Sequence, residues 1–204
     1  MTGIVDYGVG NLYSLRCSLS ALQIEHRLVT KKEDLMDHDH IILPGVGAFE
    51  DAANRLRNTE MWDPLTERAH MGVPLLGICL GMQLLFEDSC EYGLHRGLHL
   101  INGHVRPLKD RISSDLKVPH MGWNRLDILR PDPIFRYFPV GGYVYYVHSY
   151  YAADCGPSTL AASEYSIPVT GVVRNENVYG MQFHPEKSGR DGLALLKAFS
   201  EMEV

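Results

Sequence analysis

No C-x-x-C pair, no long apolar run and no surplus of positive charge occur in this chain of 204 residues. Each absence closes off a class of function. The four cysteines, Cys17, Cys79, Cys90 and Cys155, are scattered, so they suit neither a metal site nor a disulfide framework, and reduced thiols are expected. No apolar stretch approaches the ~20 residues of a membrane span. The chain passes from Met1-Thr2-Gly3 into Ile4-Val5 without a basic-then-apolar leader, so a cytosolic, cytoplasmic location is expected. With 19 basic against 25 acidic residues the net charge is -6. That balance argues against nucleic acid or membrane and for a small substrate or a protein partner. The turn Gly8-Val9-Gly10 lacks the third glycine of a dinucleotide fingerprint. No acidic residue stands at the expected place after the second strand, since His26 to Val29 runs into Thr30-Lys31-Lys32. A Rossmann site is therefore not expected, and no cofactor is called for.

What is present suffices for one domain over 1–204, since 45% of residues are hydrophobic and can cover both faces of a central sheet. Apolar periodicity predicts strands over 3–7, 26–29, 40–43 and 73–78, and helices over 12–22, 49–57, 61–71 and 80–86. The order β-α-β-β-α-α-β-α describes an α/β fold with a mostly parallel sheet flanked by helices. After Glu91 the texture turns to short strands, expected over 103–108, 119–127, 142–151, 159–165, 170–174 and 178–182 and partly antiparallel. A helix over 193–202 closes the chain. Two places hold more polarity than a buried strand wants, Pro119-His120-Met121-Gly122-Trp123-Asn124 and His148-Ser149-Tyr150. Taken alone, Trp123 beside Met121 reads as core.

The chemistry gathers at Gly77-Ile78-Cys79-Leu80-Gly81. A lone unpaired cysteine is usually a small core residue. Here glycines two residues to either side, with a strand before and a helix after, make the thiol counterpart of a nucleophile elbow. The helix N-terminus favours thiolate, and the Leu80 N-H can face a developing oxyanion. Pro44-Gly45-Val46-Gly47 leaves another strand at its carboxyl end, reading either as an ordinary tight turn or as the second oxyanion donor. A base appears at Gln182-Phe183-His184-Pro185-Glu186. His184 ends a strand, and Glu186 two residues on can orient the imidazole. Cysteine, histidine and carboxylate form a complete nucleophile, base and orienter.

G-I-C-L-G-M-Q with Q-F-H-P-E resembles, along the whole chain, the triad-type class I glutamine amidotransferase family, whose fold is flavodoxin-like. Three further stretches, Asp6-Tyr7-Gly8-Val9-Gly10-Asn11-Leu12, Pro44-Gly45-Val46-Gly47-Ala48-Phe49 and Pro119 to Asn124, resemble the glutaminase subunits of imidazole glycerol phosphate synthases. The resemblance implies that Cys79 attacks the side-chain amide of glutamine, His184 carries the proton to the departing ammonia and Glu186 holds His184. It implies a glutamine pocket of Gly47, Gln83, Glu91, Ser149 and Tyr150, with oxyanion donors from Leu80 and the Gly45-Val46 peptide. It further implies a heterodimer with a (β/α)8-barrel cyclase subunit that receives the ammonia, faced by His120, Met121, Trp123 and Asn124. This moves Trp123 from core to interface. Departures are Cys90 and Tyr92 beside Glu91, and Ser14 where asparagine is common. A cysteine peptidase would usually take its acid from elsewhere than H-P-E, and a non-catalytic binding module would lack the thiol or the base.

Overall fold

The computed structural model describes residues 1–203. The chain runs β1 (Thr2–Val5), α1 (Leu12–Ala21), β2 (His26–Val29), β3 (His40–Leu43), α2 (Phe49–Asn58), α3 (Trp62–His70), β4 (Leu75–Ile78) and α4 (Leu80–Leu84). Short strands follow: β5 (Asp88–Ser89), β6 (His95–Arg96), β7 (His104–Pro107), β8 (His120–Arg125), β9 (Asp127–Ile128), β10 (Tyr143–His148) and β11 (Tyr150–Ala153). Last come β12 (Thr159–Glu164), β13 (Pro168–Asn175), β14 (Val178–Met181) and α5 (Gly189–Ser200).

The apolar tetrads of β1, β3, β4 and β14 are buried at every position, as strands covered on both faces must be. β2 alternates and takes the edge. The main sheet has the order β2-β1-β3-β4-β14-β13-β12-β9. Its first five strands are parallel and its last three antiparallel, a mixed sheet of the kind expected. Side-chain alternation sends Ile4, Ile42 and Leu76 to one face, where Leu15 and Leu19 of α1 and Leu195, Leu196 and Phe199 of α5 pack. It sends Val5, Ile41, Leu43 and Leu75 to the other, under Phe49 and Leu56 of α2 and Leu65 of α3. Each such side chain, fully buried, contributes roughly 1.5 to 3 kcal/mol.

Helix chemistry fits the sequence. α2 opens on Glu50 and Asp51 and closes on Arg55 and Arg57, charges that complement its dipole. α5 starts at Gly189, a turn earlier than the expected 193, because the 3-10 turn at Pro185–Lys187 leads straight into it. The segment expected as one strand over 142–151 is two. β10 pairs antiparallel with β8, and after a bend at Ser149 β11 pairs with β7 in a separate four-stranded sheet. The Ser149 carbonyl accepts the Leu108 N-H at 2.9 Å, which draws the chain off one ribbon and onto the other. Similarly, the span expected as one strand over 119–127 breaks at Leu126, a buried residue, into β8 and β9.

Candidate active site

Cys79 joins β4 to α4 with φ 54° and ψ -109°, a conformation that costs a residue with a side chain roughly 1 to 3 kcal/mol. The surroundings impose it. A Cβ on Gly81 would lie 1.9 Å from the Leu43 carbonyl oxygen, and one on Gly77 would lie 2.6 Å from the Gly81 oxygen. A side chain on Gly45 would meet the Gly81 nitrogen at 2.6 Å. The ends of β3 and β4 and the start of α4 therefore touch backbone to backbone. The Cys79 N-H donates to the Met181 carbonyl at 2.8 Å, tying the elbow to the end of β14.

Three residues beyond β14, that same strand delivers the base. The His184 N-H donates to the Tyr145 carbonyl at 3.0 Å, and Pro185 starts a 3-10 turn that folds Glu186 back. The ring Nδ1-H donates to Glu186 Oε1 at 2.8 Å, with both side chains only 3% exposed. Burial opposes a charge on this imidazole, but the Cys79 sulfur and the Glu186 carboxylate outweigh it and push His184 up to about 10. His184 is thus held cationic at neutral pH, facing the sulfur.

Cys79 and His184 open onto one cavity of about 330 Å3. Val46, Gly47, Leu80, Gln83, Glu91, Ser149 and Tyr150, all singled out in the sequence, line it. Gly45 stands one residue back, against α4. The Tyr7 hydroxyl donates to the Pro44 carbonyl at 2.8 Å and fixes the root of this loop. The Gln83 amide donates to the Tyr150 carbonyl at 2.9 Å and to Gln182 Oε1 at 3.1 Å, bracing the cavity wall. Glu91 Oε2 accepts the Phe49 N-H at 2.7 Å, capping α2 where Ala48 offers no side-chain cap. One carboxylate oxygen is thereby engaged. Pro119, Val147 and His148 also line the cavity and were missed as site residues, although polarity within a strand flagged His148.

The expected docking stretch divides. On β8, Met121 and Trp123 are 60% and 54% exposed, whereas His120 is 1% exposed and Asn124 half-buried. His120 does not reach that surface, because strand side chains alternate, so His120 and Asn124 share the face opposite to Met121 and Trp123. Its ring stacks on Tyr146 and Tyr165 instead, with centroids 4.7 and 3.9 Å away. Among the described residues no cluster of potential metal ligands occurs, and no helix is long and apolar enough to cross a membrane.

A strained cysteine turn after one strand, with a histidine-carboxylate pair just beyond the neighbouring strand, is the kind of arrangement that cysteine-dependent α/β enzymes use. A family model described as "Glutamine amidotransferase class-I" matches residues 4–201, and the chain belongs to that family. Solved structures agree in fold. A "glutamine amidotransferase" aligns with TM-score 0.77 at 21% identity, covering 98% of this chain and 97% of that one. "PurLQS from Thermotoga maritima" aligns with TM-score 0.74 at 20% identity, covering 97% and 96%. Among curated relatives, the "Imidazole glycerol phosphate synthase subunit HisH" of Oceanobacillus iheyensis is 45% identical over 203 residues, 99% of each chain. That of Listeria monocytogenes serotype 4b (strain CLIP80459) is 46% identical over 202 residues, 99% of this chain and 96% of the relative. Within the amidotransferases, the chain is thus a member of the glutaminase-subunit family of imidazole glycerol phosphate synthases.

Proposed function

We propose that this chain hydrolyses glutamine to glutamate and ammonia with Cys79, His184 and Glu186. The ammonia passes to a (β/α)8-barrel cyclase subunit that makes imidazole glycerol phosphate and aminoimidazole carboxamide ribotide in histidine biosynthesis. The observation that carries the reading is the shared cavity, where a strained Cys79 and a cationic, Glu186-bound His184 meet beside residues suited to an amino-acid amide. Cys79 Sγ attacks the side-chain carbonyl carbon, and the resulting oxyanion is received by the Leu80 N-H and the Gly45-Val46 peptide. His184 gives its proton to the leaving nitrogen, so ammonia departs and a glutamyl thioester remains. Water, deprotonated by His184, then attacks the thioester and frees glutamate. Gly47, Gln83, Glu91, Ser149 and Tyr150 hold the amino-acid end. Met121 and Trp123 face the cyclase, with His120 and Asn124 supporting them from behind.

The reading is supported by the names of the similar synthase subunits, and by Met121 and Trp123 exposed on β8, the strand paired with β10, which carries the cavity residues Val147 and His148. The test is glutamine turnover with and without a barrel cyclase and its nucleotide ligand. Ammonia released only on glutamine, lost on thiol alkylation and raised by the partner, is the expected result. Peptide cleavage without glutamine turnover would return the site to the peptidases.

A further inference from the structure

The bend at Ser149 is held by two buried histidines that the triad does not use. His148 Nδ1-H donates to the carbonyl of Tyr150, two residues on, at 2.8 Å. That carbonyl also accepts the Gln83 amide at 2.9 Å. One oxygen thus joins the two walls of the cavity, β11 and α4. The other nitrogen, His148 Nε2, lies 3.0 Å from His120 Nδ1, and His120 Nε2 lies 2.8 Å from Asn124 Oδ1. His120 is clamped between the Tyr146 and Tyr165 rings. With His148 6% and His120 1% exposed, neither ring has freedom to reorient.

We propose that His148 is a positioning residue for the amino-acid end of the glutamine pocket: by fixing the Tyr150 carbonyl it sets the Ser149 bend and the Gln83 amide, and the His120 ring, clamped between Tyr146 and Tyr165, confines it by packing. This rests on the reading of the cavity as a glutamine site. The rival role, a second general base, does not fit the geometry. A carbonyl partner compels Nδ1 to carry the proton, and Nε2 is turned to His120 and away from any substrate. Burial also drives this imidazole down to about 3, so it stays neutral throughout the working pH range.

The arrangement demands a particular tautomer and a particular nitrogen, and both can be tested. In His148→Asn the amide nitrogen takes the place of Nδ1 and can still donate to Tyr150. In His148→Gln it takes the place of Nε2 and cannot. In the complex with the cyclase, His148→Asn is expected to keep KM for glutamine within about threefold, and His148→Gln to raise it about tenfold or more. kcat should change less than KM, and ammonia-dependent synthesis not at all. Equal KM values for the two variants, or a loss confined to kcat, would overturn the proposal. Nitrogen-15 NMR of the wild-type histidines needs no variant. A neutral Nδ1-H tautomer at His148 at pH 7 is expected, and an Nε2-H tautomer or a titration near 6.5 would overturn the assignment. A wild-type complex that leaves glutamine intact would instead defeat the proposed function while the tautomer remained as expected.

Discussion

Two turns meet at the cavity, and they are built in opposite ways. At the elbow, Gly45, Gly77 and Gly81 omit side chains so that three backbones touch, and the geometry of Cys79 follows from the lack of any alternative. At the Ser149 bend, the backbone is steered by what side chains supply, with His148, His120 and Asn124 in series. The first device is rigid and tolerates no added atom. The second is polar, assembled from distant parts of the chain, and open to adjustment through β8, whose outer face carries Trp123.

The largest effect should come from the elbow's own sulfur. Cys79→Ala is expected to lower glutaminase turnover by about ten-thousand-fold or more, with little change in thermal stability, because the attacking atom goes and the gap is small. His184→Ala should match it, and Glu186→Ala should be milder by about an order of magnitude or more. Steady-state ammonia release decides the order, and a Glu186 variant worse than the other two would make Glu186 more than an orienter.

Next in size is the backbone contact. Gly81→Ala places a carbon against the Leu43 oxygen and should destabilise the fold by about 3 kcal/mol or more. Gly47→Ala meets no neighbouring atom, and its strain comes only from φ 95°, so a loss of about 1 kcal/mol is expected. Chemical denaturation of both variants would break the comparison if Gly47 proved the more sensitive.

The bend should instead respond to acid. The folded state holds His148 near 3, below its ordinary value of 6.5, while the unfolded chain takes up the proton. Stability is therefore complete above about pH 6.5 and falls as pH drops toward 3, by roughly a few kcal/mol. His184 has the reverse sign. Its folded value of about 10 exceeds the unfolded one, so its contribution is full below about 6.5 and is lost as pH rises through 10. Melting curves against pH should show both limbs, and His148→Asn should flatten only the acid one.

The remaining effect is on docking, in binding and not in stability. Trp123→Ala should weaken binding to the cyclase by about 2 kcal/mol with almost no change in melting temperature, since the ring is 54% exposed in the free subunit. Titration calorimetry checks this, and a large melting drop with unchanged affinity would return Trp123 to the core.

Much of the fold, and the three residues proposed as the triad, were legible in the sequence. The apolar tetrads, the glycines around Cys79 and the H-P-E run act through near neighbours, and steric exclusion at a glycine or a fixed proline angle needs no knowledge of the rest of the chain. The tertiary structure decided the features that depend on pairing across long separations. It alone turned Glu91 onto the N-terminus of α2, 42 residues away in sequence, and split 142–151 between two sheets through the Leu108 contact. It also drew His120 inward to His148, 28 residues off, while leaving Met121 and Trp123 outside. Which face of a strand is the inner one is set by what packs against it, and a hydrogen-bond donor or acceptor in the sequence carries no mark of its partner.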